Sequence, residues 1–174
     1  FVPLGSFLMG QQEPDEIPVG VVNITQPFYL GKCEVTQGEW RRIMPKNPSR
    51  HTGDDRLPVD SVSWNACQDF LKEAGDGLRL PTEAEWEYAC RAWTQTAYNM
   101  GDTLRPSQAN FAGPKSKGWF GKETDVAASM SVGSFPPNAW GLCDMHGNVA
   151  EWCQDWYDAE GYRRRRIDDP MGAE

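Results

Sequence analysis

Four side chains able to offer oxygen ligands crowd one short stretch of this sequence. Asn138, Asp144, Asn148 and Glu151 all fall between Phe135 and Tyr157, among Trp140, Trp152 and Trp156. Calcium takes roughly six to eight oxygens, from carboxylates and backbone carbonyls held in a flexible loop. Asp144 and Glu151 supply carboxylates, and Gly147 permits a tight turn that aims carbonyls inward. No D-x-[DN]-x-[DN]-G run is present, so the pattern is not an EF-hand. Turn-capping acids with no ion are the alternative reading of the same spacing.

The remaining reactive residues are sparse. Five cysteines (Cys33, Cys67, Cys90, Cys143, Cys153) include no CxxC and no zinc spacing. Their odd number leaves at least one unpaired within the chain, and their density is too low for a disulfide scaffold. His51 sits in a polar loop and reads as a surface residue. A formal net charge of −8 argues against nucleic-acid binding. The basic run Arg163-Arg164-Arg165-Arg166 reads as a solvated loop, with docking of an acidic partner as the sharper alternative. No window is apolar enough to span a membrane.

These residues need a frame. A chain of 174 residues suits one domain over 1–174, and its aromatic content, 8 Trp, 7 Phe and 5 Tyr, supplies core area that the 39% apolar share alone does not. With 17 Gly and 13 Pro, much of the backbone must be turns and loops. Residues 1–31 read as strands: Phe1–Leu4 leads to Phe7–Gly10, Val19–Ile24 alternates weakly, and Pro27–Gly31 follows as a second short strand, a pair of such N-terminal strands being expected to form a hairpin. Three helices carry start signals: Thr36 with Glu39 in a T-x-x-E capping box, running to about Met44; Ser63 capping Trp64 to about Ala74; and Thr82 with Glu85, running to about Ala92. Trp64, Cys67, Phe70 and Leu71 form one apolar face of the second. Residues 94–134 show no sustained period, which points to loops ordered by function or an ion. Pro136, Pro137, Gly141 and Gly147 forbid a long helix over 135–157, yet the stretch is apolar, so its backbone groups must be satisfied by side chains or by an ion.

Several blocks occur in order: Gly-Lys-Cys-Glu-Val-Thr-Gln-Gly-Glu-Trp (31–40), Pro-Val-Asp-Ser-Val-Ser-Trp-Asn-Ala (58–66), Leu-Arg-Leu-Pro-Thr-Glu-Ala-Glu-Trp-Glu-Tyr-Ala (78–89), Gln-Ala-Asn-Phe (108–111) and Gly-Leu-Cys-Asp-Met-His-Gly-Asn-Val-Ala-Glu-Trp (141–152). Together they resemble the formylglycine-generating enzyme family, the sulfatase-modifying factors, over almost the whole chain. The resemblance implies an α+β, C-type-lectin-like fold with short helices, short strands and much irregular loop. It implies two calcium sites. One would use Asp144 and Glu151 with backbone oxygens of Gly147 and Val149. The other would use Asn110, the Phe111 carbonyl and a further acid, for which Asp125 is the nearest match.

Family enzymes oxidise a sulfatase cysteine to formylglycine with oxygen and a copper ion held by two cysteines, which follow an Arg-Gly-Gly-Ser-Trp strand near the family's C-terminus. None of the five cysteines here occupies those positions, and the sequence ends at Glu174 where that segment is expected. Copper is therefore expected only if a C-terminal segment carries the pair. Cys33, Cys90 and Cys143 lie where relatives commonly carry Tyr or Ala and read as packing residues; Cys153 reads as buried and inert. The iron-binding, sulfoxide-forming branch needs a histidine cluster, and only His51 and His146 are present. Two functions follow. The first is a non-catalytic binding or accessory subunit of a larger assembly, meeting a protein partner through loop tryptophans (Trp93, Trp119, Trp140) or Arg163–Arg166. The second is a formylglycine-generating oxidase whose cysteine segment is missing from this chain. Calcium and family habit place the protein in the periplasm or outside the cell.

Overall fold

A computed structural model describes residues 1–10, 19–111, 128–157 and 166–172. Strand β1 (Gly5–Met9) pairs antiparallel with β2 (Gly20–Ile24), in a register that sets Gly5 opposite Ile24 and Met9 opposite Gly20. Alternation decides what is buried: Val22 and Ile24 point inward while Val21 faces solvent. The expected strand over Pro27–Gly31 does not form. Phe28 makes only an isolated bridge to Val2, closed by Val2 N–H to Phe28 O (2.8 Å) and Phe28 N–H to Val2 O (3.1 Å). Pro27 has no N–H to extend that ladder.

Each helix begins where its cap lies in the sequence. Helix α1 (Gln37–Ile43) starts after Thr36, which accepts from Glu39 N–H while the Glu39 carboxylate takes Thr36 N–H at 2.8 Å. Helix α2 (Trp64–Ala74) follows Ser63, and Gly75, with φ 77°, ends it. Helix α3 (Glu83–Arg91) follows Thr82 in the same reciprocal box, with Glu85 at its third position. Trp40 of α1 stacks on Phe70 of α2 with rings 4.9 Å apart. Gln37 is fully buried but satisfied, donating to His51 O and Pro58 O and accepting from Asn47.

The core joins the hairpin, α3 and the distal coil. Val2, Met9, Val22, Ile24, Ala84, Tyr88, Ala89, Cys90, Leu142 and Met145 form one buried cluster, and Phe7, Phe28, Leu30, Trp86 and Trp140 pack against it. Leu142 and Met145 belong to a segment with no helix or strand. The core thus draws the irregular stretch inward and fixes the loop residues between them.

Candidate functional site

The coil over 135–157 is held by side chains rather than by a repeating ladder. Asn138 is its first anchor. Its amide donates to the carbonyls of Ala89 (2.7 Å) and Cys90 (3.3 Å) at the end of α3. Its oxygen accepts from Trp140 N–H (3.0 Å) and Leu142 N–H (3.1 Å). Cys143 N–H then reaches Lys32 O at 2.8 Å, tying the coil to the segment that enters α1.

Beyond Cys143 the chain turns sharply. Asp144, Gly147 and Asn148 have φ values of 56°, 92° and 60°, in the left-handed region. Gly147 is required twice over: its φ is costly for other residues, and a Cβ there would collide with the Asn110 carbonyl. The close approach allows Asn148 N–H to bond Asn110 O at 2.7 Å. Asn148 is the hub. Its oxygen accepts from Met130 N–H (2.8 Å) and the Asn110 amide (3.3 Å), and its own amide donates to Met130 O (3.1 Å) and Glu34 Oε1 (3.0 Å). Asp144 Oδ2 accepts from Gly133 N–H at 2.5 Å. Glu151 accepts from the Trp86 indole N–H, so α3 positions it. Past the site, Trp64 Nε1 donates to Cys153 O, Gln154 N–H to Pro81 O, and Asp155 accepts Glu83 N–H at the start of α3.

One cavity of about 570 Å³ collects residues from both expected calcium sites. Asn110 and Phe111 line it, as do Asp144, Gly147, Val149 and Glu151. Asp125 lies outside the described residues. Glu34 comes near the same place, although its position before a helix cap carries no ligand signal. Its link to Asn148 spans 114 residues, a distance no local pattern encodes.

The electrostatics of this corner favour a cation. Burial first, with the charges of Asp144 and Glu151, raises the Glu34 carboxyl from 4.5 to about 7, against the lowering by its backbone hydrogen bond and the bond from Asn148. Burial raises Glu151 too, and the Asp144 charge adds to this against the Trp86 bond, although part of Glu151 remains open to solvent. Glu34 Oε2 is buried with no hydrogen-bond partner. That orphaned oxygen is an unpaired acceptor of the kind a hard cation or a bound water satisfies. Among the described residues, no three His, Cys, Asp or Glu side chains are grouped to hold a metal by themselves. The expected set has only two such side chains, completed by carbonyls.

Other sequence-predicted residues scatter. His51 is exposed. Trp140 packs edge-on to Tyr88 at the core, while Trp93 is 71% exposed and leans on Trp140 with ring centres 5.1 Å apart. Trp119 and Arg163–Arg165 lie outside the described residues, and Arg166 is exposed. Cys153 is half-buried rather than buried. His146 accepts Asn99 N–H on Nε2 and lies beside Cys90 and Tyr98; burial, with Arg91 nearby, lowers its pKa.

This arrangement of capped helices, one small hairpin and a side-chain-bonded coil is a C-type-lectin-like α+β fold of the sulfatase-modifying-factor class. Residues 1–169 match the family described as sulfatase-modifying factor enzyme 1-like domain, and the chain belongs to that family. It is 42% identical over 190 residues to serine/threonine-protein kinase pkn1 of Chlamydia caviae, covering 93% of this chain and 28% of that protein. It is 40% identical over 140 residues to the formylglycine-generating enzyme of Mus musculus, covering 75% of this chain and 35% of the enzyme. The solved structure of PvdO from Pseudomonas aeruginosa superposes with a TM-score of 0.78 at 29% identity, covering 99% of this chain and 75% of that one. The chain therefore spans about a third or less of these two curated relatives. Among its described residues, no helix is long and apolar enough to cross a membrane.

Proposed function

We propose that this domain is a non-catalytic binding or accessory module of a larger extracytoplasmic assembly, its distal coil held by calcium. The carrying observation is the placement of the five cysteines, none of which occupies the positions of the family's copper-binding pair: Cys90 and Cys143 are buried, and Cys33, Cys67 and Cys153 are half-buried. Burial is the leading cause that pushes Cys33, Cys90 and Cys153 to about 12 and raises Cys67. The breadth of the relatives supports the reading: proteins described as a kinase and as a formylglycine-generating enzyme share this domain, so the fold alone does not carry one activity.

Calcium would be taken by Asp144 and Glu151 with the carbonyls of Gly147 and Val149. A second ion would use Asn110, Phe111 and a further acid such as Asp125. When bound, calcium would neutralise Asp144 and Glu151 and fix the turn at Gly147. A protein partner would be met through the exposed Trp93 and the basic residues 163–166.

The test is oxidation of a sulfatase-type cysteine peptide by the full-length protein, with copper and oxygen supplied. No aldehyde product is expected. Turnover would establish the second reading, a formylglycine-generating oxidase, which the 40% identity to the mouse enzyme favours. For calcium, the thermal midpoint of chelator-treated protein should rise on adding the ion, and Asp144→Asn should remove most of the rise.

A further inference from the structure

Cys33 and Cys143 are close neighbours in space though 110 positions apart in sequence. Cys143 N–H bonds Lys32 O at 2.8 Å, so the two backbones run side by side at these residues. Gly133 lies against both sulfurs: a Cβ placed there would stand 3.7 Å from Cys33 Sγ and 3.9 Å from Cys143 Sγ. The two thiols also share a hydrogen bond. Cys143 is buried, whereas Cys33 is half-exposed. Cys90, by contrast, faces His146 and the Met145 carbonyl.

We infer that Cys33 and Cys143 form a disulfide when the domain meets an oxidising small-molecule disulfide, stapling the segment before α1 to the glycine-hinged coil. Adjacent, hydrogen-bonded backbones bring two Cys residues within the span such a bridge needs. The Cys33 thiolate attacks one sulfur of the small disulfide, forming a mixed disulfide and releasing one thiolate. The Cys143 thiolate then attacks the Cys33 sulfur and expels the second. Two thiol protons end on the two released thiols, and the two electrons given up by the cysteine pair reduce the small disulfide. The half-exposed Cys33 is the entry point. Burial, with Cys143, Asp144 and Glu34 beside it, raises its thiol to about 12, so exchange is slow. The bond would sit beside Asp144 and Glu34, yet it does not depend on calcium or on the accessory reading.

The test is equilibration of the full chain with oxidised and reduced glutathione, followed by denaturation, alkylation and non-reducing peptide mass analysis. A cross-linked peptide pair containing Cys33 and Cys143 is expected, with Cys67, Cys90 and Cys153 alkylated. The thermal midpoint should rise on the order of 10 °C on oxidation, because the loop closed is long. Cys33→Ser and Cys143→Ser should each abolish that rise while folding to the reduced protein's midpoint. Alkylation of both cysteines, separate glutathione adducts on each, or a bridge from either to another cysteine would overturn the inference. So would one tightly bound copper or zinc per chain released by blocking these two thiols.

Discussion

Helix α3 and the coil over 135–157 lie against each other and share one core, yet they satisfy their backbones by different means. In α3 the chain bonds to itself, and only its ends need help, from Thr82 and Glu85 and from Asp155 and Asn138 of the coil. In the coil almost every bond is made by a side chain or to a distant segment: Asn138 to α3, Cys143 to Lys32, Asn148 to Asn110 and Met130, Asp155 to Glu83. A helix of this kind tolerates many substitutions because each residue repeats its neighbour's work. The coil has single points of failure. Its irregularity also leaves carbonyls and carboxylates unused by secondary structure, which a regular element does not offer to a ligand.

The sharpest way to break the contrast is Gly147→Ala. The new methyl group meets the Asn110 carbonyl, and the φ of 92° adds strain. A loss of about 4 kcal/mol is expected in urea unfolding, against about 1 kcal/mol or less for Glu73→Ala on the exposed side of α2. Loss of under about 1 kcal/mol at Gly147 would mean that the turn relaxes freely. Asn138→Ala ranks next, at about 3 kcal/mol, because it strips acceptors from two N–H groups and a donor from two carbonyls. Trp140 fluorescence should shift with it, since its N–H is one of those released.

What the sequence made legible follows the same division. Thr36, Ser63 and Thr82 were readable as caps because a cap acts on residues only three positions away. The irregularity of 135–157 was readable from Pro136, Pro137, Gly141 and Gly147, which forbid regular structure locally. Pro27–Gly31 failed as a strand because β character needs a partner, and Phe28 finds one for a single bridge only. Family resemblance singled out Asn110 and Phe111 for one site and Asp144 and Glu151 for another, and their lining of one cavity was not legible from spacing. Glu34 and the Cys33–Cys143 pair were not readable, since both contacts close across more than a hundred residues.

The facing acids give the coil a pH dependence that a self-bonded helix lacks. Glu34 titrates at about 7 when folded and 4.5 in the unfolded chain. Between these values the folded state holds the extra proton, so the stability contribution present below about pH 4.5 is lost as pH rises to about 7. Since Glu34 is only half-buried, the change is about 1–2 kcal/mol after allowing for solvent screening. Unfolding of chelator-treated protein from pH 4.5 to 8 measures it, and Glu34→Gln should flatten the profile. Added calcium should reverse the slope, because it binds the deprotonated acids. An unchanged slope in calcium would separate Glu34 from the ion.

The smallest expected effects make the finest test, because the two capping boxes are alike in sequence but not in surroundings. Thr36→Ala and Thr82→Ala each remove the same side-chain acceptor, for about 1 kcal/mol apiece. The α1 cap serves only α1 and its neighbours. The α3 cap stands beside Glu83, whose N–H is already taken by Asp155 of the coil at 2.8 Å. Loosening the start of α3 therefore loosens the coil's grip through Asp155, and also the bond from Gln154 N–H to Pro81 O. Thr36→Ala should lower helical circular dichroism on heating without changing tryptophan emission at 25 °C. Thr82→Ala should change both, and should be non-additive with Asp155→Ala by about 0.5 kcal/mol or more in a double-mutant cycle. Strict additivity would mean that helix and coil are stabilised independently at this joint, and that their coupling runs through Asn138 instead.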